Sequence, residues 1–266
     1  MLTVTSKDNK VYKFIKSLQD KKARSEFFTV EGVKNIYEAQ KSGALFKYIC
    51  FSEDKLDMIK KDLDMSLIDN KNVIILPQDL FDKLSDTVNP QGVLAVLNKN
   101  TVQEISVVGA NDVFVVLENL QDPGNMGTII RTCNAAGIKN LVTVGYCTDI
   151  FSPKVVRSSM GGIFNIKIKS FNTAKDAVLF FKDHNIATYA LTLDGDICLY
   201  DMKKWKGVAL FAGNESNGLE TNTVNICDNK IKIPMPGDSE SLNVSVALSL
   251  AVFETVRYSY MEKNFI

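Results

Sequence analysis

Three segments rich in glycine and small polar side chains carry most of the chemistry available to this chain: ENLQDPGNMG (118–127), AGNESNGLE (212–220) and IPMPGDSESLNVS (233–245). Each follows a run of buried strand type, and open α/β sheets bind their ligands in the loops beyond such strand ends. Taken singly, each reads equally well as the turn and cap that any helix requires. Other chemistries find no footing. No G-x-G occurs, which removes the dinucleotide fingerprint and the glycine loop of the Rossmann-like methyltransferases, and no G-K-[ST] occurs, which removes the P-loop nucleotidases. The single histidine, His184, sits in the polar run KDHN, so a catalytic triad or a histidine-ligated metal would have to be built around a surface residue.

The elements that must position these loops are legible from periodicity. Runs at 113–117, 141–144, 166–168, 188–191, 208–212 and 230–233 read as strands separated by helix-length segments, the pattern of a parallel α/β domain. Met126, Ile129, Ile130, Cys133 and Ala136 recur at helical spacing, with Asn125 as the expected N-cap and Arg131 directed off the apolar stripe. A last helix carries the stripe Val244, Ala247, Leu248, Ala251 and Val252, with Ser241 and Asn243 at its leading edge. Residues 29–97 alternate helices with short β-rich runs as a smaller α/β unit, and the mostly polar stretch that follows separates the two. The expected organisation is a front domain over 1–98, a linker over 99–111 and a second domain over 112–266.

The chain of 266 residues is 45% hydrophobic and 23% charged. That is enough apolar mass for one large or two ordinary cores. No apolar run approaches the roughly 18 residues of a membrane span, and the start is too polar for a secretory signal. Five cysteines without a C-x-x-C pair suit buried thiols in a reducing cytoplasm, and no metal site is expected. Net charge is zero, so nothing global announces nucleic acid. Locally, however, Lys7, Lys10, Lys13, Lys16, Lys21, Lys22 and Arg24 outnumber the acids before Phe27, a stretch suited either to phosphate contacts or to a solvated amphipathic helix.

Taken together, NMGTIIRT (125–132), FAGNESNGLE (211–220) and IPMPGDSESLNVSVA (233–247) resemble, in order, the three motifs of the SpoU/TrmH family of the SPOUT superfamily. FTVEG (28–32) and NPQGV (89–93) resemble the L30-like substrate-binding domain that precedes many of its catalytic domains. PKVVRSSMG (153–161) is similar to a stretch typical of the ribosomal-RNA branch. The resemblance implies an S-adenosylmethionine-dependent RNA 2′-O-ribose methyltransferase, a deep trefoil knot that holds the cofactor, and a homodimer. Periodicity alone would not suggest a knot, since true knots are so rare.

By the same resemblance, Gly213, Glu215, Gly218, Ile233, Met235, Leu242 and Asn243 would form the cofactor pocket. Arg131 would be the catalytic arginine, with Asn125, Ser241 and Asn243 orienting the reactants. Arginine stays protonated below a pH of about 12, so stabilising phosphate and a developing alkoxide suits Arg131 better than taking a proton. RNA, with ribosomal RNA favoured, would be held by Lys13, Lys16, Lys22, Arg24 and Arg157. The rival readings are a transfer-RNA ribose methyltransferase, a non-catalytic RNA-binding or assembly factor on the same fold, and an adenosine-nucleotide enzyme unrelated to RNA.

Overall fold

The computed structural model describes residues 1–202 and 206–264. Residues 203–205 and 265–266 of the expected second domain lie outside them. The chain divides into two compact units, Met1–Val102 with Asp149–Asn165, and Gln103–Thr148 with Ile166–Ile266.

The first unit is built on a mixed sheet in the order β1-β4-β3-β5-β2. Its strands are β1 (Leu2–Thr3), β2 (Phe27–Glu31), β3 (Phe46–Ser52), β4 (Val73–Leu76) and β5 (Val93–Asn98), and its longer helices are α1 (Lys10–Ser17) and α2 (Val33–Lys41). A short α3 (Leu56–Ile59) and α4 (Gln78–Leu84) complete the front portion. Helix α1 shows how the sequence divides its faces. Asn9 caps it by accepting from the Val11 N–H at 2.8 Å. Tyr12, Ile15 and Leu18 enter the core, so Lys10, Lys13 and Lys16 are left outside.

Residues 149–165, expected within the second domain, group with this first unit. Here the chain forms α6 (Pro153–Ser158), which lies against β2. The Phe151 and Phe28 rings meet with centroids 4.8 Å apart, and the Arg24 guanidinium bonds Asp149 at 2.9 Å. Arg24 is only 5% exposed and also donates to the carbonyls of Leu18 and Gln19. Its expected contact with RNA phosphate is thereby corrected: a guanidinium spent on three internal acceptors is a tie within this unit, not a surface charge.

The second unit is a parallel sheet in the order β11-β13-β10-β12-β7-β8-β9-β6. Its strands are β6 (Gln103–Glu104), β7 (Val113–Glu118), β8 (Asn140–Val144), β9 (Lys167–Phe171), β10 (Ala187–Leu191), β11 (Ile197–Cys198), β12 (Val208–Ala212) and β13 (Asn229–Lys232). β6 falls inside the stretch expected as linker and pairs with β9. The central strands β7 and β12 are almost continuously apolar because a parallel sheet is covered on both faces. On one side α7 (Ala174–Asp183) and α8 (Thr221–Ile226) pack around Phe181, whose ring meets Phe114 at 5.1 Å and Phe211 at 5.9 Å. Helices α5 (Pro123–Ala135) and α9 (Val244–Asn264) pack against each other. Met126, Ile129, Ile130 and Cys133 form the buried stripe of α5. Its cap is Asp122 rather than the expected Asn125, with Pro123 opening the first turn, where a missing N–H costs nothing. Among the described residues, no helix is long and apolar enough to cross a membrane.

Candidate functional site

Parallel pairing places the C-terminal ends of β13, β10, β12 and β7 side by side, so the segments leaving them emerge along one edge of the sheet. These segments are the three polar loops together with residues 192–196. Those leaving β10, β12 and β13 line a cavity of about 640 Å³, and the one leaving β7 touches it only through its contacts with Glu215. Gly213, Glu215, Gly218, Ile233, Met235, Ser241 and Leu242 all line it.

The loop after β12 is shaped by its glycines. Asn214 and Gly218 exchange backbone hydrogen bonds of 3.0 and 2.9 Å, which closes a tight turn with Gly218 at φ +67°. Gly213 lies so close beneath the turn that a Cβ there would fall 2.0 Å from the Gly218 carbonyl oxygen. Only glycine fits.

A chain of polar contacts then joins all three loops. The Asn243 amide donates to Asn125 Oδ1 at 3.1 Å, and the Asn125 amide donates to Glu215 Oε1 at 3.0 Å. The same carboxylate oxygen accepts the Asp122 N–H at 3.2 Å. Asp122 in turn caps α5 through the Asn125 N–H at 2.7 Å, and Asn243 receives the Ser245 N–H at 2.9 Å at the start of α9. Both helices therefore begin at this network. Thr132 and Ser249, bonded at 3.1 Å, tie them again about two turns further on.

Asn125 and Asn243 reach the cavity through Glu215 but are not among its lining residues, and neither is Arg131. Arg131 is exposed on α5 and has no hydrogen bond or ion pair among the described residues. It is a cation without an internal partner, within the same helix that Asn125 begins. Leu191, Thr192, Leu193 and Asp194 also line the cavity, although sequence reading did not single them out. Their only signal was the end of a strand. Which strand ends share an edge depends on sheet order, which local sequence does not carry. The Thr192 hydroxyl is buried and has no hydrogen-bond partner among the described residues, leaving an unused polar group at the cavity wall.

The remaining expected RNA contacts lie in the first unit. Lys13 pairs with Asp8 at 2.8 Å on the surface, Lys16 donates to the Lys83 carbonyl, and Lys22 is exposed. Arg157 reaches Asp86 at 3.2 Å with its side chain still 39% exposed.

Comparison with known proteins agrees with this geometry over nearly the whole chain. The model described as SpoU rRNA Methylase family matches residues 112–253, and that of an MRM3-like substrate binding domain matches residues 9–95. The chain is 30% identical to the 23S rRNA (guanosine(2553)-2′-O)-methyltransferase RlmP of Bacillus subtilis, over 95% of this chain and 98% of that one. An AdoMet-bound rRNA methyltransferase from Sinorhizobium meliloti superposes with a TM-score of 0.84 at 29% identity, covering 96% of this chain and 97% of that one. The A. aeolicus TrmH/SpoU tRNA modifying enzyme superposes with a TM-score of 0.52 at 25% identity, covering 61% of this chain and 80% of that one. The family model thus spans both polar helix starts, the glycine-built turn and Arg131, and the chain belongs to the SpoU rRNA methylase family.

Proposed function

We propose that this protein transfers the methyl group of S-adenosylmethionine to a ribose 2′-hydroxyl of 23S ribosomal RNA in the cytoplasm. The observation that carries this reading is the junction of the three loops through Asn243, Asn125 and Glu215 beside the cavity.

The residues present fit the methyl donor. The cavity of about 640 Å³ is of a size with small-molecule sites in general, and the Thr192 hydroxyl offers an unspent hydrogen bond. Main chain at Gly213, Gly218, Ile233 and Leu242, with Met235 beside them, would hold the nucleoside portion in a mixed polar and apolar pocket. Glu215 and Asn243 would close it. When bound, the donor supplies an electrophilic methyl group on a sulfonium sulfur. The protein then has to align the ribose oxygen and stabilise the negative charge that grows as the hydroxyl proton leaves. Ser241, Asn125 and Asn243 would orient the reactants by hydrogen bonds, and Arg131 would supply the permanent positive charge. The deep trefoil knot of the family would fix these loops relative to one another.

For the RNA, the lysine face of α1 and Arg157 would meet phosphates. Relatives named for ribosomal RNA align with both units, whereas the tRNA-modifying enzyme from A. aeolicus covers 61% of this chain. This favours the ribosomal substrate. A second copy of the chain would cover the exposed apolar side of α9, where Val246, Leu250 and Phe253 lie beside Tyr200. The defining experiment maps ribose methylation across total RNA from cells with and without the gene. One 23S position resistant to alkaline cleavage only when the gene is present is the expected result; an unchanged map refutes the assignment.

A further inference from the structure

Asn119, the residue after β7, lies at φ +52°. This is a left-handed conformation that asparagine tolerates better than other residues with side chains. It does not line the cavity, yet its backbone and side-chain amide groups are committed to the end of β8, the turn beyond it, and the loop after β12. Its N–H donates to the Val144 carbonyl at 3.0 Å, and its carbonyl accepts from Asn214 Nδ2 at 3.1 Å. Its side-chain Oδ1 accepts the Tyr146 N–H at 2.9 Å, and Nδ2 donates to Glu220 Oε1 at 2.9 Å. A main-chain N–H can only donate and a carboxylate can only accept, so these two partners dictate which way the amide faces.

The packing around this amide is equally specific. Gly145, at φ +66°, has no room for a side chain, since a Cβ there would fall 2.4 Å from Asn119 Oδ1. The preceding Glu118, 3% exposed, accepts the Glu220 N–H at 2.9 Å and also the Thr223 hydroxyl. The loop after β12 is therefore fastened at both ends to residues 118–119, through Asn214 at its start and Glu220 at its finish. Between these two ties lie Glu215 and Gly218, which line the cavity, with Gly213 just before them.

We propose that Asn119 is a positioning residue: it clamps the 213–220 loop in the form that receives the methyl donor, acting through Asn214 and Glu220 without touching the donor itself. The proposal rests on the reading of this cavity as the S-adenosylmethionine site. A stitch serving stability alone would lower the melting temperature and leave donor affinity in the folded protein unchanged. A clamp on the loop alters donor affinity in the folded protein.

The test compares the full-length protein with Asn119→Gly, with Asn119→Asp, and with the double variant Asn119→Asp/Glu220→Gln. The readouts are S-adenosylmethionine affinity by calorimetry, KM for RNA, and melting by circular dichroism. Glycine keeps the backbone conformation but removes both side-chain bonds, so donor affinity is expected to fall about tenfold or more while KM for RNA stays within about twofold. Asn119→Asp sets two carboxylates against each other and is expected to lose at least as much. The double variant moves the donating amide to position 220 and is expected to recover affinity to within about threefold of wild type. Unchanged donor affinity in Asn119→Asp, or a loss that the double variant does not restore, overturns the proposal. Wild-type protein that fails to bind S-adenosylmethionine overturns the reading of the cavity itself and the proposal with it, and is thus distinguishable from failure of the clamp alone.

Discussion

The Asn243 amide hydrogen-bonds Asn125 Oδ1 at 3.1 Å across 118 residues of sequence, joining the first turns of α9 and α5. Because Asn125 passes the contact on to Glu215, the three side chains form one unit and should fail as one unit. Asn125→Ala and Asn243→Ala are each expected to lower kcat by about tenfold or more, and the double variant by no more than about twofold beyond the worse single. Losses that multiply in the double variant would show that the two asparagines act independently.

Arg131 is exposed and has no partner among the described residues, so its removal should leave packing and the cavity intact. Arg131→Ala is expected to abolish methyl transfer while S-adenosylmethionine affinity stays within a few-fold of wild type. Single-turnover transfer to RNA together with calorimetry measures both. Normal turnover by the variant removes Arg131 from the mechanism.

The exposed lysines before Phe27 and the buried Arg24 should respond in opposite ways. Neutralising Lys13, Lys16 and Lys22 is expected to weaken RNA binding and reduce the slope of log affinity against log salt, by about one for each phosphate that a lysine no longer neutralises. Asp149, the partner of Arg24, has a side chain only 12% exposed. Arg24→Ala strips that partner away and is expected to cost about 3–5 kcal/mol in urea unfolding. An unchanged salt slope in the triple variant would move RNA recognition elsewhere.

The apolar side of α9 makes a third kind of claim, about assembly. Phe253 is 48% exposed beside Leu250 and Val246. Phe253→Glu would place a charge on the face assigned to a second copy. Sedimentation is expected to show a dimer for wild type and a monomer for the variant. A dimer that tolerates the charge lies on another surface.

Alkaline stability follows from burial of the α5 stripe. Burial pushes the Cys133 thiol up to about 12 from its ordinary 9.0. Below about pH 9 both folded and unfolded chains keep this proton and the group adds no pH dependence. Between about 9 and 12 only the unfolded chain releases it, so stability falls as pH rises, by about 1 kcal/mol at pH 10. Urea midpoints between pH 8 and 10 are expected to decline less steeply in Cys133→Ala than in wild type; parallel declines would show that the thiol is not held neutral.

Much of this molecule could be read locally. The strand at 208–212 coincides with β12, the stripe Met126, Ile129, Ile130 and Cys133 is the buried face of α5, and Arg131 faces outward as its spacing required. These features depend on residues a few positions apart, where periodicity and capping chemistry operate. The errors have the same origin. Asn125 and Asp122 are both good caps, and only the observed first turn distinguishes them. Likewise, Arg24 lies in a run of lysines that looks uniformly solvated until Asp149 is brought beside it.

Sequence alone determined most of the longer strands and helices, though not short ones such as β6, and which segments carry the amides, the glycines and an arginine off the apolar stripe, because side-chain periodicity and turn chemistry are properties of neighbours. Tertiary structure alone decided that β10, β12 and β7 lie adjacent, so that Thr192, Glu215 and Asn125 share one edge, and that residues 149–165 pack with the first unit. Strand order and long-range burial are choices among many pairings of similar local merit. They are settled only when the whole apolar surface is buried at once.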